Sequence, residues 1–280
     1  MKKPGISRRR FLGGVSFAAA GTAGYAHWCE AEWLEQNHVA VPISGAARPP
    51  LRLLHISDLH ASAVVSLGYI GQAIEVALKF QPDLICVTGD FITHFFDDAV
   101  GYARILRRLS DAAPCFAVLG NHDGGPWARG YGGYADVQWV SALLRESRVT
   151  LLRNGAQNLK VRDWQLNIVG LGDGWAGDLD PATAFRAVSP EQPTVVLSHN
   201  PDTKAELAPY RWNLMLSGHT HGGQLRVPLI GTPFAPVKDK RFVAGLHRWN
   251  DRWLHVTKGI GNIYGVRINC RPEVSFLTLT

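Results

Sequence analysis

The chain has 280 residues, 46% of them apolar, enough for one large domain with a sizeable buried core. Its formal net charge of +6 is local: Lys2, Lys3, Arg8, Arg9 and Arg10 precede the first acid, Glu30, and without them 24 basic residues face 23 acidic ones. A nearly neutral body gives no reason to expect a nucleic-acid partner.

Residues 1–28 read as a targeting segment rather than as fold. The stretch "SRRRFLGG" resembles a twin-arginine export signal, with Arg8 and Arg9 as the pair, Phe11-Leu12 behind them and a Gly/Ala-rich run following. "GYA" before His27 offers a cleavage point. The alternative is a retained N-terminal anchor, because the 18 uncharged residues from Phe11 to Trp28 approach the length of a bilayer span. The expected location is the periplasm or the outer face of the inner membrane. Cys29, Cys86, Cys115 and Cys270 show no CxxC spacing and read as structural thiols, with a Cys29–Cys270 pairing left open.

Residues 29–50 read as a connector closed by Pro49-Pro50. Beyond it, apolar runs alternate with helical periodicity. A buried strand is expected over 51–57 and a helix over 67–80, where Ile70, Ala73, Ile74, Ala77 and Leu78 recur at helical spacing. A second strand follows over 83–89, then a helix over 97–109 with Arg107 and Arg108 in its last turn, then a third strand over 115–120. The Gly-rich loop "GGPWARGYGG" (124–133) is placed to reach a ligand, and a helix over 135–146 follows it. Strands dominate from residue 151 on, including 194–198, 214–217, 253–257 and 274–279. This order predicts one α/β domain over 51–280 with more than one sheet.

Five of these strands end alike. Asp58 and His60 follow the first; Asp90 follows the second; Asn121, His122 and Asp123 follow the third; His199 follows 194–198; His219 and His221 follow 214–217 in "SGHTHGGQ". Ligands of α/β sheets bind beyond the carboxyl ends of strands, so the five ends are expected to converge. Oxygen and nitrogen donors without thiolate suit divalent ions of the Mn, Fe, Zn or Co type. In extended backbone, residues two apart point the same way, so Asp58 and His60 are expected to address one ion. His219 and His221 are expected to serve one ion each, with Asp90 as the bridge. Two-metal sites hold their ions roughly 3.5–4 Å apart, where they clamp a phosphoryl group.

In their order and spacing, the blocks "DLH", "GD", "GNHD", "H" and "GHTH" resemble the calcineurin-like metallophosphoesterase superfamily from Leu51 to the C-terminus. The resemblance implies a four-layer α/β/β/α sandwich with two mixed central sheets. It implies one metal on Asp58, His60, Asp90 and His221, and a second on Asp90, Asn121, His199 and His219. It further implies a phosphodiesterase using a metal-bridging hydroxide, with His122 stabilising the transition state or protonating the leaving group. Many relatives carry, three residues after the bridging aspartate, an Asp that orients this histidine. Thr93 stands there in this chain, so His122 is expected to be held less firmly as imidazolium, with Asp123, Asp97 or Asp98 as candidate substitutes.

Two alternatives accompany this reading: a UDP-2,3-diacylglucosamine-type pyrophosphate hydrolase, and a non-catalytic envelope- or membrane-binding relative. The aromatics Trp127, Tyr131, Tyr134 and Trp175, with the Phe91–Phe96 patch, lie near the expected site. They suit a lipid-like substrate or a membrane surface, and equally well the capping of core edges. His55 reads as a core or supporting residue and His94 as lining or packing; His27, His38, His247 and His255 read as ordinary. No individual substrate-binding residue stands out.

Overall fold

A computed structural model describes residues 7–43 and 48–280. Lys2 and Lys3 of the expected leader, and residues 44–47 of the expected connector, lie outside them. The described part of the expected leader contains α1 (Arg8–Trp28), capped where the Ser7 hydroxyl accepts from the Arg10 N–H at 3.3 Å. Among the described residues no helix is long and apolar enough to cross a membrane. The C-terminal end of α1 docks on the body: the Arg267 N–H donates to the Ala26 carbonyl at 3.1 Å, and His27 Nδ1 to the Gly265 carbonyl at 2.6 Å.

The expected connector contains a strand, β1 (Glu35–Val41), paired in parallel with the last strand of the chain. The sequence hides it because an edge strand buries only part of one face, and β1 alternates half-buried and exposed residues until Val41. The central strands read differently because both their faces are buried. In β2 (Leu51–Ile56), Leu51 and Leu53 enter the core between the two sheets, while Leu54 and Ile56 face helices. The same division holds in β3 (Leu84–Thr88), where Leu84 and Cys86 oppose Ile85 and Val87, and in β4 (Cys115–Val118), where Phe116 and Val118 oppose Cys115 and Ala117.

The helices on the outer face are α2 (Leu67–Leu78), α3 (Ala99–Ala112) and, after the short α4 (Pro126–Gly130), α5 (Gln138–Glu146). α3 starts two residues later than expected because the Asp98 side chain accepts from the Gly101 N–H at 2.8 Å as its cap. It also runs on to Ala112, which leaves Arg107 and Arg108 in its body, and Arg108 reaches across to the Gly71 carbonyl of α2 at 3.1 Å. α4 lies within the expected loop 124–133.

β5 (Thr150–Leu151) completes one edge of the first sheet. The second sheet takes β6 (Gly155–Val161), β7 (Trp164–Gly170), β8 (Thr194–Leu197), β9 (Leu214–Ser217), β10 (Gly245–Trp249) and β11 (Arg252–Val256). With β12 (Glu273–Leu279), the first sheet runs β1-β12-β2-β3-β4-β5 and the second β10-β11-β9-β8-β7-β6. Both are mixed: β2, β3, β4 and β5 run parallel while β12 opposes β2, and β7, β8, β9 and β11 run parallel between antiparallel edges.

The sheets pack through Leu53, Leu84, Phe116 and Val118 of the first against Leu166, Ile168, Val195 and Leu216 of the second. The fourth layer is thin, with α6 (Pro181–Ala184) and turns carrying Leu207, Trp212 and Phe242. Polar links cross the interior: His55 Nδ1 and His255 Nδ1 lie 2.9 Å apart, His55 Nε2 meets the Thr88 hydroxyl at 2.9 Å, and the Ser275 hydroxyl donates to that of Thr257 at 3.1 Å. The parallel strands β2, β3, β4, β8 and β9 end at the loops that carry the candidate ligands.

Candidate metal centre

The loops meet through their backbones first. The Asp58 N–H donates to the Gly89 carbonyl at 2.9 Å, the His60 N–H to the Asp90 carbonyl at 2.9 Å, and the Gly218 N–H to the His199 carbonyl at 3.0 Å. Extended backbone is not what directs the ligands. Asp58 (φ 53°), His60 (φ 49°), Asp90 (φ 54°), His219 (φ 68°) and His221 (φ 50°) all take left-handed conformations, uncommon outside glycine. The expected in-register pairs are therefore turn residues. Their strained backbones are held by these bonds and by the Asp58 carboxylate, which accepts from the His219 N–H at 3.0 Å.

Donor atoms of Asp58, His60, Asp90 and His221 gather within 4.8 Å of one another, and so do those of Asp90, His199 and His219. Asp90 belongs to both groups: its Oδ2 lies 3.3 Å from His60 Nε2 and 3.1 Å from His199 Nε2. His221 Nε2 is 3.5 Å from Asp58 Oδ1, and His219 Nδ1 is 3.2 Å from His199 Nε2. Asn121 is buried, and its Oδ1 has no hydrogen-bond partner. An unpaired buried amide oxygen is costly unless a cation or donor meets it.

The donor set fits divalent ions. His60 Nδ1 donates to the Thr93 hydroxyl at 3.1 Å, which leaves a lone pair on Nε2, and that nitrogen faces His221 Nε2 at 3.1 Å. Burial keeps these rings neutral, lowering His60 to about 4, His219 to about 3 and His221 well below the usual imidazole range. Burial also raises the Asp58 carboxyl to about 6 against the opposing pull of His199. His199 and Asp90 form the exception. Burial would lower His199, but Asp90 and Asp58 carry it well above its ordinary value; burial would raise Asp90, but His199 and His122 hold it well below. The His199 proton that faces Asp90 is one a divalent ion would replace.

His122 lines the cavity above this cluster, its ring 4.9 Å from that of His60 and 4.6 Å from that of Trp127. Asp97, Asp98 and Asp123 do not substitute for the missing carboxylate. Asp97 and Asp98 are exposed. Asp123 is buried and accepts from the N–H groups of Asp90 at 2.9 Å, Phe91 at 2.7 Å and Gly120 at 2.8 Å. His122 Nδ1 instead donates to the Thr93 carbonyl at 2.9 Å, which fixes the tautomer and leaves Nε2 for the cavity. Thr93 thus serves two histidines, His60 by its hydroxyl and His122 by its carbonyl.

The sequence reading passed over two further supports. Arg267 is fully buried and donates to the carbonyls of His221 at 3.3 Å, Lys258 at 2.8 Å, Gly259 at 3.2 Å, Gly261 at 2.5 Å and Cys270 at 3.2 Å, holding the loops behind His221 and Asp58. Asp173 accepts from the N–H groups of Trp175 at 2.8 Å and Ala176 at 2.9 Å, a turn that lays Trp175 edge-on against His219. All four cysteines are free thiols; Cys270 is buried with its Sγ 3.2 Å from the His221 carbonyl, and Cys29 is exposed. His55 and His255 bond in the core, and His94 lines the cavity.

That cavity, about 580 Å³, opens over Asp90, Asn121, His122, His219 and His221. Trp127, Tyr131 and Trp175 line it together with Leu225, Phe234, Ile263, Tyr264 and Val266.

Two mixed sheets with a buried Asp/His cluster at their strand ends define a metallophosphoesterase, and the calcineurin-like phosphoesterase family matches residues 51–223, so the chain belongs to that family. It is a metal-dependent phosphoester hydrolase. It is 42% identical to Phosphodiesterase YaeI of Escherichia coli, over 98% of this chain and 99% of that one. It is 30% identical to the metallophosphoesterase YkuE of Bacillus subtilis, over 100% of this chain and 99% of that one. It is 27% identical to UDP-2,3-diacylglucosamine pyrophosphatase LpxG of Chlamydia trachomatis, over 89% of this chain and 92% of that one.

Proposed function

We propose that the chain hydrolyses phosphodiesters. The observation that carries this reading is the position of Asp90, whose one carboxylate belongs to both donor clusters on the floor of a cavity of about 580 Å³. Asp58, His60, Asp90 and His221 would hold one divalent ion, and Asp90, Asn121, His199 and His219 a second, of the Mn, Fe, Zn or Co class. A pair of such ions lowers the pKa of water and neutralises phosphoryl oxygens.

The chain's own residues do the rest. His122 presents Nε2 to the cavity in a tautomer set by the Thr93 carbonyl, placed to exchange a proton with the leaving oxygen. A carbonyl stabilises imidazolium less than a carboxylate does, so the site suits a leaving group of low basicity. Trp127 packs against His122 and limits water around it.

The test is turnover of bis-p-nitrophenyl phosphate and p-nitrophenyl phosphate by Mn²⁺-loaded protein. Wild type should favour the diester, and Asp90→Asn should abolish activity on both. Preference for the monoester, or full activity in the variant, would sink the reading.

A second reading, a lipid-like substrate such as a UDP-linked lipid pyrophosphate, draws support from the likeness to LpxG and from the aromatic and aliphatic lining of the cavity. Hydrolysis of a UDP-lipid faster than the aryl diester would favour it. A non-catalytic role has less support, because all seven candidate ligands are buried and six of them gather into the two donor clusters. Export by the twin-arginine route, with 1–28 as leader and the body in the periplasm, is supported by the Arg8-Arg9 pair of α1. A fusion reporter that still reaches the periplasm after Arg8→Lys and Arg9→Lys would count against it.

A further inference from the structure

Beside the cavity the chain holds apolar side chains out in solvent. The Val227 and Gly231 backbones exchange two hydrogen bonds of 2.8 Å, closing a tight turn with Pro228, Leu229 and Ile230 at its tip. Leu229 is fully exposed and Ile230 is 70% exposed, with no neighbour to bury either. Leu229 takes a left-handed φ of 68°, and the rings of Pro228 and Pro233 stiffen the segment, so the tip is pre-organised. Phe234, 72% exposed, and Tyr264, 76% exposed, continue the apolar surface into the mouth of the cavity, where Leu225 also lines the wall. Several large apolar side chains exposed within one short segment, between the cavity-lining Leu225 and Phe234, mark an interaction site.

Charge identifies the partner. Arg226, Lys238, Lys240 and Arg241 are exposed around the turn, and Asp239 is the one acid in sequence between Gly218 and Trp249. Asp239 pairs with Arg241, and Lys240 Nζ donates to the Ala235 carbonyl at 2.5 Å, which leaves Arg226 and Lys238. Among the described residues lining the cavity, none is Lys or Arg. Arg226, Lys240 and Arg241 instead border a second, open hollow of about 570 Å³ that Leu229 also lines, so the cations sit beside the apolar tip and outside the cavity over the metal centre. An apolar tip with basic residues set behind it is the arrangement that enters the boundary between acyl chains and anionic headgroups.

We propose that segment 225–241 docks the protein on an anionic lipid surface. Leu229 and Ile230 enter the acyl layer, Arg226 and Lys238 meet the headgroups, and the cavity opens toward the lipid. The substrate is then a phosphoester presented at that surface, with its apolar part along Leu225, Phe234 and Tyr264; this last point rests on the phosphodiesterase reading, whereas the docking does not.

The test uses the full chain in co-sedimentation with phosphatidylcholine vesicles, with and without phosphatidylglycerol. Wild type should sediment only with the anionic vesicles, and less so at high salt. Combining Leu229→Ser and Ile230→Ser should weaken that binding by about tenfold or more, with near-UV circular dichroism and turnover of soluble bis-p-nitrophenyl phosphate unchanged.

The proposal is overturned if wild type stays in the supernatant. It is equally overturned if the substituted protein sediments as well as wild type, which would place binding on another element such as α1, where Leu12 and Phe17 are exposed. A dimer that the substitutions dissociate, without vesicle binding, would assign the surface to a second copy of the chain and also overturn it. Vesicle binding lost in the variant while neither protein turns over the soluble diester would uphold the docking and reject the phosphodiesterase reading.

Discussion

Thr93 holds His60 through its hydroxyl, with Nδ1 of the ring 3.1 Å from Oγ1. Thr93→Val removes this acceptor and keeps the backbone carbonyl that orients His122. Partners of this kind typically tune metal affinity by about 10–100-fold. The variant should lose metal on dialysis and recover its diesterase rate at high Mn²⁺. Retention of metal equal to wild type would show that the Thr93 hydroxyl does not support the centre.

His122 should separate chemistry from metal binding. It lines the cavity without contributing to either cluster of donor atoms. His122→Ala should retain metal stoichiometry while kcat falls by about 10²–10⁴-fold, the usual range for a lost proton-transfer group. The loss should deepen as the leaving group becomes more basic, measured across aryl diesters of rising phenol pKa. An equal loss for all of them would remove His122 from proton transfer.

Close backbone approach gives a third expectation. A Cβ at Gly120 would collide with Oδ1 and the backbone N of Asp90, so Gly120→Ala should displace the shared carboxylate and release bound metal. At Gly71, inside α2, a Cβ would meet Ile105 Cδ1 at an ordinary 3.8 Å. Gly71→Ala should therefore leave activity intact and raise stability by up to about 1 kcal/mol. Metal analysis and urea unfolding of the two variants read these opposite outcomes; metal retained by Gly120→Ala would contradict the first.

The five loops that carry the candidate ligands were legible because each follows a strand buried on both faces, which writes an uninterrupted apolar run before a cluster of Asp, Asn or His. β1 left no such trace, since Glu35 to Ala40 are buried on one side only and in part. The left-handed backbones of Asp58, Asp90 and His221 were equally hidden, because those residue types do not announce a positive φ as glycine does. The orienting group for His122 could not be found by looking for a carboxylate, because it is the Thr93 carbonyl, an atom every residue carries. Arg267 looked like any cation in the sequence; only the fold turns backbone carbonyls from several segments toward it.

The buried His55–His255 pair predicts acid lability. Burial holds His255 at about 4, below its ordinary 6.5, with Glu273 pulling the other way. The unfolded chain takes up this proton as pH falls through about 6.5, and the folded chain does so only near 4. The stability tied to His255 is therefore complete above pH 6.5 and is lost toward pH 4, by up to about 3 kcal/mol. His255→Gln should flatten the fall of the urea midpoint between neutral pH and about pH 5. A fall as steep as that of wild type would mean the proton is bound elsewhere.

Chain order carries one more consequence. β12, the C-terminal strand, lies between β1 and β2 and provides the only neighbour pairing on that side of β2, the strand that leads into Asp58 and His60. The first sheet therefore cannot close until Glu273–Leu279 has cleared the ribosome, however early the rest of the domain has been synthesised. Nascent chains stalled before residue 273 should therefore emerge without the closed sheet that carries Asp58 and His60.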